Sequence, residues 1–158
     1  MWDVDQVISP LLGRSGRVLA IDIRRISLLF LRARLALRGY SNVILIHSEP
    51  DNPELEAQSV DAVLIANTLH EIADQNPVLS CIFRSLKPGG RIVVVDRGSK
   101  VFSNHGSELD RHPHTLSLSL AADEVRQAGF EIISEDDEFI DRPGIDAWWL
   151  LVARKPTP

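Results

Sequence analysis

Four short apolar runs limit what this chain can become: residues 17–23 (RVLAIDI), 42–46 (NVILI), 60–66 (VDAVLIA) and 91–96 (RIVVVD). None shows the in-out alternation of a half-solvated strand. Near-continuous apolar strands are those of a parallel sheet covered on both faces. The segments between them carry helical spacing. Residues 24–38 place Ile26, Leu29, Phe30, Ala33 and Leu37 on one face and stop at Gly39. Residues 76–86 do the same with Val78, Leu79, Ile82, Phe83 and Leu86. Strands alternating with helices specify an open α/β sheet. A length of 158 residues with 44% hydrophobic and 25% charged residues suits one globular domain, 1–158.

The last third changes character. Residues 87–90 (Lys-Pro-Gly-Gly) read as a turn before the fourth strand. Residues 99–113 read as a long polar loop, 118–128 as a helix stopped by Gly129, and 130–134 as a strand. The final strand, 147–153 (AWWLLVA), follows a turn at 142–144. Two late strands with a short connection pair antiparallel. Trp148 and Trp149 must face opposite sides of their strand.

Charge is unevenly spread. The whole chain carries −5 at a pI near 5.5, which argues against nucleic-acid and membrane partners at long range. Residues 1–40 nonetheless hold seven Arg against three Asp, while the remainder holds ten basic and nineteen acidic residues. The plain reading of the Arg cluster is a solvated helix face; an anion or partner site is the alternative. Cys81 is the one cysteine, expected buried and reduced. No secretory signal is visible, and the expected location is the cytoplasm. His105, His112 and His114 gather near Asp110 without regular spacing, so no metal site is expected.

The ordered series of elements resembles class I S-adenosylmethionine-dependent methyltransferases, in the group that includes the ubiquinone-biosynthesis type. The resemblance covers residues 11–155. It is most specific where SVDAVLIAN leads to TLHEI, a helix and LKPGGRIVVVD, and it extends to the ending FEIISEDDEFIDRPGIDAWWLLVARKP. It implies a Rossmann-like, mostly parallel sheet closed by an antiparallel hairpin, S-adenosylmethionine as cofactor, and a small-molecule methyl acceptor.

The resemblance also implies a site. Asp22 ends a strand, where an acid accepts from a ribose diol; a helix N-cap or an exposed end-of-strand Asp is its structural alternative. Ile23 adjoins it. Glu49, with Pro50 beside it, matches the acid that meets the adenine amine, and Asp51 is the alternative. Asn67 matches the segment bordering the methyl donor. His70 is the candidate catalytic base; a packing role is its alternative.

One part of the family pattern is missing or degenerate. The family opens with a strand and a glycine-rich turn, and here Asp5-Gln6-Val7 stands where glycines should follow Trp2-Asp3-Val4. That strand is central in the family sheet, so its absence leaves two strands short of a partner. Three outcomes compensate: the N-terminal residues fill the gap, the flanking strands pair directly, or a homo-oligomer completes the sheet. Two functions follow. One is a small-molecule methyltransferase, truncated or inactive if the loop is essential. The other is a non-catalytic methyltransferase-like binding or oligomerisation domain.

Overall fold

The computed structural model describes residues 8, 11–13, 15–98, 111–112, 115–140 and 148–157, with the backbone alone at 111–112. The chain forms two compact units, residues 1–53 and 54–158. The expected remnant strand at 2–4, most of the polar loop with its histidine side chains, and the turn at 142–144 lie outside the described residues.

In the first unit, β1 (Val18–Asp22) leads through helix α1 (Arg25–Arg38) to β2 (Val43–His47). The strands pair parallel in register from Val18 opposite Val43 to Asp22 opposite His47. Helix α1 ends as its sequence requires. Gly39 adopts φ 71° and donates its N–H to the Ala36 carbonyl, while Tyr40 donates to Leu35. A left-handed cap of this kind favours glycine.

The face of α1 that covers the sheet is not the expected one. Ile26, Leu29, Phe30 and Leu37 are 57%, 61%, 70% and 89% exposed, whereas Leu35 on the opposite side is buried. The helix is apolar nearly all round, with Leu28, Leu31 and Leu35 forming a second stripe, so spacing alone could not choose between the two.

The second unit holds β3 (Val60–Ala66), a 3₁₀ turn (Leu69–Glu71), α2 (Gln75–Ser85), β4 (Leu86–Arg97), β5 (Arg111–His112), β6 (Thr115–Leu116), α3 (Leu118–Gln127), β7 (Glu131–Ile140) and β8 (Trp148–Arg154). The main sheet has the order β3-β4-β8-β7, parallel at β3/β4 and antiparallel at the other two ladders. The C-terminal antiparallel hairpin is therefore present. Both helices carry the caps their sequences offer: Asp74 accepts from the Asn76 N–H, and Ser117 from the Leu120 N–H.

The Lys87–Gly90 turn is built into β4 as a bulge. Val60 faces Leu86, and the ladder resumes with Ala62 facing Arg91. Strand β7 runs to Ile140, beyond the expected end at residue 134. The core of this unit joins Leu69, Leu79, Leu86, Ile92, Val94, Leu116, Val125, Trp149 and Leu151, all at most 2% exposed. Cys81 is buried, with Arg84 Nη2 3.5 Å from its sulfur. Trp149 is buried and donates its indole N–H to the Leu116 carbonyl at 2.7 Å, while Trp148 on the other face is half-buried.

Among the described residues, β1 and β2 pair only with each other, and β3 pairs only with β4.

Candidate functional site

In open α/β sheets, ligands collect beyond the carboxyl ends of the parallel strands. Each unit places candidate residues there.

In the first unit, Asp22 closes β1. Its Oδ1 accepts the Arg24 N–H at 2.8 Å, bridging the strand end to the start of α1. The Arg24 Nε lies 3.8 Å from the same oxygen. Asp22 thus closes a local turn at the strand end without capping α1, whose N-cap residue is Arg24 and which has no side-chain cap. Ile23 is 51% exposed. Beyond β2, the buried Ser48 donates its N–H to the Asp22 carbonyl at 3.3 Å, tying the two strand ends together. Glu49 and Pro50 follow in an exposed turn, with the Asn52 N–H donating to the Glu49 carbonyl. Asp22, Ile23, Glu49 and Pro50 therefore share one end of one two-stranded sheet.

In the second unit, β3 ends at Ala66 and Asn67 turns the chain sharply, at φ +53°. Asn is among the few non-glycine residues that adopt this region readily. Its N–H donates to the Val95 carbonyl at 2.8 Å, which holds the turn against β4. Its side-chain Oδ1 is buried without a hydrogen-bond partner. A buried acceptor left in this state is costly, by about 1–3 kcal/mol.

The turn delivers His70 to Asp96, the penultimate residue of β4. His70 Nδ1 lies 2.6 Å from Asp96 Oδ1, and neither side chain has any solvent exposure. The other carboxylate oxygen accepts the His70 backbone N–H at 3.1 Å, and Oδ1 also accepts the Arg97 N–H at 2.7 Å. A carboxylate accepts only, so the Nδ1 proton faces it. The second ring nitrogen, Nε2, lies 3.4 Å from Arg97 Nη2, a group that donates only. Glu71 Oε1 lies 3.9 Å from the same nitrogen; Asp96 fixes the tautomer, so that the proton of a neutral ring is on Nδ1 and its lone pair on Nε2. Arg97 Nε is itself buried without a partner, and its guanidinium carbon lies 6.0 Å from the Trp148 ring centroid.

Asn67 and His70 are thus brought to one place with Asp96 and Arg97, which the sequence reading did not single out. The signal was available: the apolar run that ends in Asp22 has a counterpart in RIVVVD, which ends in Asp96. A buried strand that terminates in an acid needs a partner for it. A cavity of about 240 Å³, lined by Gly89, Arg91, Ile133, Arg154, Lys155 and Thr157, lies at the opposite end of β4 and touches none of these residues. No group of three or more His, Cys, Asp or Glu side chains suited to a metal occurs among the described residues.

Comparison with known proteins bears on the family and the fold. Residues 2–108 match the model of the ubiE/COQ5 methyltransferase family. The Marinomonas sp. (strain MWYL1) ubiquinone/menaquinone biosynthesis C-methyltransferase UbiE is 32% identical over 108 residues, covering 68% of this chain and 41% of the relative. The chain spans about two-fifths of the length of the curated relatives it matches. Among solved structures, a SAM-dependent methyltransferase from Aquifex aeolicus superposes with TM-score 0.77 at 21% identity, over 95% of this chain and 74% of the other. The [4+2]-cyclase SpnF superposes with TM-score 0.81 at 17% identity, over 99% and 71%. The family match extends over more than half of the sequence, and this chain belongs to the ubiE/COQ5 methyltransferase family.

Proposed function

We propose that the chain takes part in S-adenosylmethionine-dependent methyl transfer to a small molecule. The observation that carries this reading is the buried His70–Asp96 pair at the carboxyl ends of β3 and β4, in a chain of a methyltransferase family. The matched UbiE relative is a C-methyltransferase of ubiquinone and menaquinone biosynthesis. A carbon atom of a quinone-type ring is accordingly the acceptor we assign.

Each unit by itself carries residues that suit one part of the cofactor, Asp22 and Glu49 in the first and Asn67 in the second. The Asp22 carboxylate keeps an oxygen for a ribose diol. Glu49 offers an acceptor to an exocyclic amine. Asn67 Oδ1, buried and unsatisfied, lacks the donor that an ammonium group provides. When bound, S-adenosylmethionine supplies a methyl group on a positively charged sulfur. For each methyl gained at a ring carbon, the acceptor gives up one proton. His70 Nε2 holds that proton, and Asp96 fixes the ring so that its lone pair is on Nε2 rather than Nδ1. Because the ring is fully covered, Arg97 has to swing away from Nε2 before an acceptor can reach it.

A second reading is a binding or oligomerisation domain without catalysis. It is favoured by the family's glycine-rich turn being missing or degenerate, since Asp5-Gln6-Val7 stands where glycines would allow close backbone approach. Titration calorimetry of the full chain with S-adenosylmethionine and S-adenosylhomocysteine separates the two. Binding that is lost in Asp22→Ala supports the first reading. A folded chain that binds neither molecule leaves only the second.

A further inference from the structure

Apart from Arg24, the Arg cluster of the first unit plays no part in the site just described. On α1 its arrangement is specific. At 3.6 residues per turn, Ile26, Leu29, Phe30, Ala33 and Leu37 lie within an arc of about 100°, and the four larger side chains are 57–89% exposed. Arg25 and Arg32 border this stripe on one side, and Arg34 and Arg38 on the other. The helix contains no acidic residue.

From this arrangement we infer that α1 docks in the plane of an anionic lipid surface, with the Ile26–Leu37 stripe among the acyl chains and its Arg borders at the headgroups. An apolar stripe with Phe and Leu at its centre and cations along both margins is the pattern of an interfacial helix. The aliphatic stems of Arg25 and Arg32, both exposed, lie along apolar surface while their guanidinium groups reach phosphate. The opposite side of the helix is already covered, through Leu35, so docking needs no unfolding of the unit.

Charge decides between this occupant and a second copy of the chain. In a two-fold dimer the same patch meets itself, which sets like-charged Arg margins against each other. An anionic bilayer offers the complementary charge on both margins at once. The acidic net charge of the whole chain does not oppose this, because at physiological salt charges beyond ~8 Å are largely screened.

Co-sedimentation of the full chain with vesicles of phosphatidylcholine, with and without phosphatidylglycerol, tests the inference. Partition into the anionic vesicles is expected, with loss in high salt. Arg25→Glu/Arg32→Glu should weaken it by at least about tenfold, and Leu29→Ser/Phe30→Ser should abolish it. All four positions are exposed, so circular dichroism should be unchanged; Arg25→Gln/Arg32→Gln provides a milder pair with the same direction. Equal partition into neutral vesicles, no partition into either, or retention by the Glu variants overturns the proposal. So does a wild-type mass that rises with concentration in light scattering and falls to the monomer in Leu29→Ser/Phe30→Ser, which assigns the stripe to a second copy.

Discussion

Asp96 grips His70 twice, taking the backbone N–H on one carboxylate oxygen and the imidazole Nδ1 on the other. One side chain at the end of β4 thus sets both where the 3₁₀ turn begins and which way its imidazole points. Asp96→Asn keeps the shape and removes the charge. An amide nitrogen turned toward Nδ1 drives the ring proton to Nε2. Methyl transfer should fall on the order of 10²-fold or more with cofactor affinity unchanged. The ring ¹⁵N shifts of His70 should show the changed tautomer, and a purely structural pair would leave residual activity proportional to the folded fraction.

Asn67 serves two purposes that substitution can separate. Its backbone needs positive φ, and its Oδ1 is a buried acceptor without a donor. Asn67→Gly keeps the turn and deletes the acceptor, so stability should hold or rise slightly while S-adenosylhomocysteine affinity drops. Asn67→Ala should additionally cost about 1–2 kcal/mol in urea unfolding. Unchanged affinity in the Gly variant would remove Asn67 from the cofactor site.

The indole N–H of Trp149 is buried, 2.7 Å from the Leu116 carbonyl. Trp149→Phe leaves that carbonyl without its donor and opens a gap beside β6. A loss of at least about 1–3 kcal/mol is expected, read as a lower denaturation midpoint. The same change at Trp148, half-buried on the opposite face, should cost less.

Gly129 ends α3 at φ +99°, and a Cβ there would come within 3.2 Å of the Phe83 ring. Gly129→Ala combines backbone strain with a tight contact against a ring that already stacks edge-on with Phe130. Destabilisation should exceed about 1 kcal/mol. Gly39→Ala, where a Cβ meets nothing within 4 Å, isolates the backbone share and should cost less.

The elements were legible because their signals are local. Apolar runs gave β1 to β4, Gly39 and Gly129 stand where their helices stop, and Asp22 closes its strand. What was not legible depends on contacts distant in sequence. His70 and Asp96 are 26 residues apart, and only the β3/β4 register, with Ala66 opposite Val95, puts the turn after one strand beside the end of the other. The buried side of α1 was misjudged for a different reason. With leucines on both stripes, the choice depends on the surface the helix meets. Strand β7 outran its expected end because residues 135–138 (EDDE) look like loop, yet Glu135 and Asp136 pair with Leu151 and Leu150 of β8.

The buried apolar side chains of the chain are divided very unequally. Leu35 is the one buried hydrophobic residue among the described residues of the first unit, against seventeen in the second. A βαβ segment with so few fully buried apolar side chains among its described residues opens at lower free energy than a four-stranded sheet with a continuous core. Backbone amides of β1 and β2 should therefore exchange with deuterium long before those of β4 and β8. Loss of structure on heating then becomes a sequence of separable events rather than one cooperative step. Any ligand or surface that engages the first unit acts on the part of the chain with the least stability of its own, and shifts its population most.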